Sequence, residues 1–321
     1  MSLVPKERRE GGPALKSESS GFRRTWGRIE RNWGLYVLLL PAAILLLLFS
    51  YKPMYGVLIA FKDYSPALGI MGSPWAGMKY FEKFFHSYQF NVTIKNTLII
   101  SLYSIVTFPI PIVLALMVNQ MRANRFKRFF QTVTYMPHFI STVVMVGLML
   151  ILLSPGSGLI GSIYRLFGAE APNIMGSAGM FSSVYVWSDV WQHAGWDSII
   201  YIAALSAVDP SLYEAATVDG ASRWQKIRYI DIPMLIPTAV TLFILRMGGL
   251  LGVGFEKVYL MQNNLNISSS EVISTYVYKI GLLSSQYSFS SAINLFNTLI
   301  NFVLLILVNQ ISKKLSSNSL W

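Results

Sequence analysis

Six stretches of about twenty or more mainly apolar residues recur along this 321-residue chain, at about 34–60, 92–119, 131–153, 181–206, 236–261 and 290–311. Crossing the hydrocarbon core of a bilayer takes roughly 20 residues of helix. Backbone polar groups in that core have no water to bond, so a crossing segment must satisfy them within itself. Composition agrees: 53% of residues are hydrophobic and 13% charged, with a mean hydropathy of +0.48, too apolar for a soluble domain of this length. The expectation is an all-α integral membrane protein with six transmembrane helices. The fourth window is the least apolar and the second carries Pro109 and Pro111, so these two are expected to be irregular or to line a polar cavity.

Arg23, Arg24, Arg28 and Arg31 precede the leucine-rich first window, as in a secretory signal. The length of the window and the lack of an A-x-A cleavage site favour a retained helix. Basic residues of short loops set orientation. With the N-terminus in the cytoplasm, eight Lys and Arg before the first window, then Arg122, Arg125, Lys127 and Arg128, Arg223, Lys226 and Arg228, and Lys313 and Lys314 all lie inside. Only Lys62, Lys79, Lys83, Arg165 and Lys279 fall outside. The expected layout is a basic cytoplasmic tail over 1–33, a membrane domain over 34–312 that includes a cytoplasmic loop at 207–235, and a cytoplasmic tail over 313–321.

Several function classes drop out. The net charge of +11 follows the cytoplasmic edges, which suits anionic membrane lipids and not nucleic acid. There is no cysteine, hence no disulfide framework, thiolate metal site or thiol nucleophile. His86, His138 and His193 are too scattered to argue for zinc. No G-x-x-x-x-G-K-[ST] loop occurs, so the chain is not itself a P-loop ATPase. Gly156, Gly158 and Gly161 spell G-x-G-x-x-G, but they follow a membrane window and read as a flexible turn.

Between the fourth and fifth windows lies Glu214-Ala215-Ala216-Thr217-Val218-Asp219-Gly220 and, nine residues on, Ile230-Asp231-Ile232-Pro233. Asp209 is placed to N-cap a short helix with Pro210 at its first position, and Gly220 to supply the left-handed residue that ends it. A second short helix is expected from near Ser222 through Trp224, Ile227 and Tyr229, stopping before Pro233. Ala215, Ala216 and Gly220 permit close packing, while Glu214 and Asp219 offer carboxylates to fix the turn or meet a basic partner. An ordinary capped hairpin would explain the E-A-A triplet alone. The full spacing resembles the EAA loop of ABC importer permeases, with Ile232 where that family usually has Leu. The resemblance implies a type I ABC importer permease fold in a bacterial inner membrane. It implies that Glu214, Ala215, Ala216, Asp219, Gly220, Ile230 and Pro233 form a knob seated in a cytoplasmic ATPase subunit. The implied partners are two ABC ATPase subunits, a second permease in a heterodimer and an extracytoplasmic substrate-binding protein. ATP and magnesium would bind to the ATPase partners, and no cofactor to this chain.

A second resemblance concerns cargo. The segments Leu40-Pro41-Ala42, Tyr51-Lys52-Pro53-Met54-Tyr55-Gly56, Ala60-Phe61-Lys62-Asp63-Tyr64 and Gly72-Ser73-Pro74-Trp75-Ala76-Gly77 are similar to permeases of the carbohydrate-uptake branch. Within that branch they look like the group serving uronate-rich oligosaccharides such as pectin and alginate fragments.

Polar groups in a membrane span tend to face a cavity or the bundle interior. The fourth window carries Asp189, His193 and Asp197 at i, i+4 and i+8, with Gln192, Trp187, Trp191, Trp196 and Tyr201 around them. Aromatic faces cover the C–H surfaces of sugars while carboxylates and amides bond hydroxyls, so this stripe is a candidate substrate path. Arg246 could counter an anionic substrate or pair with Asp189 or Asp197, and Asn294, Asn297 and Asn301 share one face of the sixth window. Bonding between neighbouring helices is the plainer use of such residues. Gly248 and Gly252 read as a helix-packing notch. Tyr80, Phe81, Phe84, Phe85 and Tyr88 suggest an amphipathic helix that either lies in the interface or caps the bundle, and the loops at 154–180 and 262–289 are long enough to receive a partner. Two other classes stay open: a membrane-embedded enzyme using Asp189, His193 and Asp197, and an ion-coupled secondary transporter, which lacks a visible inverted repeat.

Overall fold

The computed structural model describes residues 30–121 and 123–316, in which helices dominate and the one β-type pairing is an isolated bridge between Lys62 and Trp75. Most of the basic N-terminal tail, Arg122 and the last residues of the C-terminal tail lie outside the described residues. The chain divides into two compact units, Met1–Gly56 and Val57–Trp321. In the first, the Trp33–Leu46 helix buries none of its residues.

Among the described residues, four helical stretches are long and apolar enough to cross a membrane: Trp33–Phe61, Tyr88–Asn119, Arg223–Met247 and Tyr287–Lys314. Asn124–Phe139 and Thr142–Leu152 qualify together but meet at a bend of 100°. The fourth window forms one unbroken helix, Phe181–Ser206, 26 residues long, which is about 39 Å at 1.5 Å per residue. Its serines, Asp189, Gln192, His193 and Asp197 keep it below the hydropathy of the others, so it is long enough to cross a membrane without being among the stretches apolar enough to do so. The third window is broken because Pro137 starts a short 3-10 turn and Ser141 caps a new helix through a bond from Val144 N. In the second window Thr107–Pro109 separates Tyr88–Val106 from Ile110–Asn119, as Pro109 and Pro111 led one to expect.

The fifth window is shifted. Its helix does not stop before Pro233: Arg223–Lys226 passes through a π-helical turn at Ile227–Asp231 into Ile232–Met247 without a gap. The widened turn, in which Ile232 N–H bonds the Ile227 carbonyl, moves the preceding carbonyls away from the proline ring, the usual cause of a break. Leu47–Tyr51 does the same ahead of Pro53. At the other end the helix stops at Gly248, and Phe255–Met261 is a separate short helix. The Gly248/Gly252 notch is therefore a chain break, although a Cβ on Gly248 would come within 2.5 Å of Leu305 Cδ1.

Phe181–Ser206 feeds two cores. Phe181, Tyr185 and Val186 join Ile100, Met145, Met149 and Met261 near one end, and Tyr201 and Leu205 join Ala115 and Leu235 near the other. Between apolar helices in lipid, contact geometry decides packing more than hydrophobic burial does. Here the decisive residue is Gly195, where a Cβ would lie 2.1 Å from the Thr134 carbonyl oxygen. Only a glycine lets Asn124–Tyr135 approach this closely.

The Lys79–Phe85 helix caps the bundle. Phe81 and Phe84 are buried, and Phe84 meets Phe90, Phe289 and Phe296 at 5.1, 6.5 and 5.8 Å, while Tyr88 stays exposed. The connection at 262–270 is pinned against 175–178: buried Asn266 donates to the Met175 and Met261 carbonyls, and Ser269 to that of Ala178. The glycine turn at 156–161 is closely packed at Gly158 and Gly161 and open at Gly156. A Cβ on Gly158 would stand 2.5 Å from the Ile151 oxygen and one on Gly161 2.1 Å from that of Pro155.

Candidate functional site

The polar loop is built by its caps. Asp209 accepts from Ser211 N at 2.9 Å and opens the Pro210–Val218 helix. Its carboxyl is held below the usual carboxylate range by bonds from Ser211. Glu214, Ala215 and Ala216 lie on this helix and Asp219 closes it. Gly220 turns the chain at φ +74°. A capping box follows, with Ser222 accepting from Gln225 N and the Gln225 side chain accepting from Ser222 N. Lys226 ties the two helices together through Thr217 Oγ1 at 2.7 Å. The result is a helix–turn–helix knob whose tip is open: Val218, Trp224 and Tyr229 are 88%, 67% and 69% exposed. Ala216, Asp219, Gly220 and Ile230 border a notch of about 280 Å³ between its helices. Pro233 sits apart from the tip, in the first turn of the helix that leaves the knob.

Asp231, passed over among the candidate residues, anchors the knob. It is fully buried and accepts from Tyr213 Oη at 2.5 Å, Gln120 Nε2 at 2.9 Å and Asn119 Nδ2 at 3.4 Å. Burial, and then the bond to this carboxylate, push the Tyr213 hydroxyl up to about 12, so it remains a donor. An aspartate four residues after a Trp-Gln-Lys-Ile run, among apolar neighbours, was the available signal.

The ionisable stripe of Phe181–Ser206 divides. Asp189 pairs with His193 at 3.3 Å and with Lys257 at 3.4 Å. Lys257, 6% exposed, also sits 4.9 Å from the Tyr185 ring centre. A lysine inside the fifth apolar window is itself a flag, and it was not among the candidate residues. Asp197 instead lines a cavity of about 600 Å³ with Trp196, Tyr201, Phe108 and Arg246. Arg246 bonds the Ser104 carbonyl at 3.1 Å and sits 5.9 Å from the Phe108 ring centre. It also borders a smaller cavity of about 170 Å³ shared with Asp189. Arg246 thus lies between the two acids without forming an ion pair with either among the described residues.

The remaining candidates scatter. Gln192 is buried and donates to the Ile140 carbonyl at 2.7 Å, bracing the bend of the third window. Trp196 stacks on His138 at 4.4 Å with rings parallel to 1°, and Trp187 donates to Tyr103 at 2.8 Å. The Asn301 carbonyl oxygen accepts from Leu251 N, which satisfies backbone where the fifth helix ends. Asn294 is exposed, and the Asn297 oxygen is buried without a partner among the described residues. The three asparagines do not line the cavity that holds Asp197 and Arg246.

Residues 107–317 match the family described as binding-protein-dependent transport system inner membrane component. The polygalacturonan/rhamnogalacturonan transport system permease protein YteP of Bacillus subtilis (strain 168) is 42% identical over 89% of this chain and 90% of its own length. Protein LplB of the same organism is 38% identical over the full length of both. Among solved structures, a chain of a bacterial ABC transporter involved in the import of the acidic polysaccharide alginate aligns with a TM-score of 0.85 and 39% identity. That alignment covers 91% of this chain and 99% of the other. The family match, with a transport permease and an ABC transporter chain among the relatives, sets aside the enzyme and ion-coupled readings, and the chain belongs to the inner membrane component family of binding-protein-dependent transport systems.

Proposed function

We propose that this chain is the permease subunit of an ATP-driven importer of oligosaccharides, acidic ones included. The likeness to the alginate transporter chain over 91% of this chain carries that reading. It is supported by Arg246 in the large cavity beside Trp196, a cation and an exposed aromatic side chain where a uronate would need them.

In this account the chain forms and breaks no substrate bond. A loaded binding protein, as in the solved alginate complex with its pentasaccharide-bound periplasmic protein, delivers cargo to the outer face. Two ATPase subunits, holding ATP and magnesium, close against the knob at 209–231, and a second, different permease completes the path. Both termini and the knob face the cytoplasm, and Phe181–Ser206 counts as the sixth crossing segment. The path runs along Asp189, His193, Trp196, Asp197 and Arg246. Gln192 and Asn301 serve packing, as their backbone bonds indicate.

The test uses the cysteine-free background. Cysteines introduced singly at positions 189, 193 and 197 of the assembled transporter should react with a water-soluble thiol reagent, faster or slower as nucleotide state changes. Complete protection of all three in every state would contradict the path.

A further inference from the structure

The Pro210–Val218 helix, which carries Glu214, Ala215 and Ala216, buries none of its residues. Apolar packing therefore does little to attach it to the membrane helices. What attaches it is polar. Tyr213, one residue before Glu214, donates to Asp231 Oδ1, and the same carboxylate receives Asn119 and Gln120 from the end of the Tyr88–Asn119 segment. Asp231 itself closes the π-helical turn that leads into Ile232–Met247. One fully buried carboxylate thus joins three elements through neutral donors. A carboxylate is acceptor-only, so each of its bonds requires a donor and none can be reversed. Losing the acceptor would strand those donors in a buried site, where unmade bonds are costly.

We propose that Asp231 is a positioning residue for energy coupling, holding the loop helix through Tyr213 and the second membrane segment through Asn119 and Gln120, so that a push on the knob moves these helices together. This rests on the reading of the knob as the ATPase-docking element. It adds a specific transmission point that touches neither nucleotide nor substrate.

The test uses the complete transporter, with both permeases, the ATPases and the binding protein, in proteoliposomes. The readout is oligosaccharide taken up per ATP hydrolysed, with V218C supplying a crosslinking site to the ATPase. D231N removes the charge that strengthens all three bonds, and its new amide can bond Gln120 only after that side chain turns its oxygen inward. It should preserve assembly and the crosslink while lowering the ratio about tenfold, the scale of one hydrogen bond to a charged group. D231N combined with Q120E returns an acceptor to face the new amide and leaves the position-231 oxygen for Tyr213, so the ratio should recover most of the loss. Y213F removes one hydroxyl at the loop end and should lower the ratio without affecting assembly. An unchanged ratio in D231N and Y213F, with the crosslink intact, overturns the proposal alone. So does a D231N defect that Q120E leaves untouched. Absence of the crosslink when V218C is the only change overturns the docking reading, and the proposal with it.

Discussion

Gly220 turns the knob at φ +74° with open space where a Cβ would stand. The demand at that position is on the backbone alone. Non-glycine residues pay about 1–2 kcal/mol for the left-handed region, Asn tolerates it better than most, and a β-branched residue least. Gly220→Val should therefore abolish most uptake while membrane insertion and subunit expression persist, and Gly220→Asn should retain most of it. Uptake assays on the two variants, normalised to protein, decide this; equal activity would remove the turn from the mechanism. A second residue-scale prediction concerns Asp63, whose carboxyl is held below its ordinary 3.8 by a bond from Lys79 and then one from Tyr80. A depressed folded value gives stability that is present above the unfolded carboxyl range and lost only as pH falls through the lower folded value. Amide exchange across 62–80, corrected for intrinsic rates, should show the same protection at about pH 7 and about pH 5, with D63N less protected at both. Protection lost near pH 5 would contradict the clasp. The clasp was not legible in the sequence, because Asp63 and Lys79 have no local periodicity to connect them. Gly220 was legible because its role depends only on neighbours in the chain.

At the scale of elements, the same division holds. The cap at Asp209, the helix start near Ser222 and the break at Pro109 follow from short-range rules, and the structure has all three; the break at Pro137 in the third window was not anticipated. Pro233 does not follow from them: a proline ends a helix only if its ring meets a carbonyl, and the π-helical turn at Ile227–Asp231 displaces that carbonyl. Nothing in the hydrophobic pattern announces a widened turn, so the fifth window was placed too far along the chain. Gly195 was equally silent, since its partner Thr134 lies on a different element. Gly195→Ala should force the Phe181–Ser206 and Asn124–Tyr135 helices apart, at a cost of about 1–3 kcal/mol typical of overpacking. Thermal denaturation of the purified transporter reads that loss. An unshifted midpoint would mean that the helices have room to part.

Across the whole molecule, the apolar windows and the loop spacing made the fold class and the transport role readable, because both are written in contiguous residues. The candidate path was only half readable. Asp197 and Arg246 share the large cavity, but Asp189 is engaged by His193 and Lys257, and the asparagines serve elsewhere, because which helix faces meet is set by tertiary packing. If Arg246 selects acidic cargo, Arg246→Gln should cut uptake of uronate oligosaccharides by about tenfold or more, the loss expected for a charge-assisted pairing, while neutral oligosaccharides are taken up as before or better. Parallel loss of both would make Arg246 structural, through its bond to Ser104. On the proposed reading, this chain works only as the membrane part of an ATP-driven machine. The most direct measurement is detergent extraction and affinity purification of the chain, with mass spectrometry of what co-purifies and an ATPase assay with and without oligosaccharide-loaded binding protein. A P-loop ATPase and a second permease should be recovered, with hydrolysis raised by the loaded binding protein. A chain that purifies alone and without ATPase activity, under conditions that keep a control importer intact, would contradict that reading.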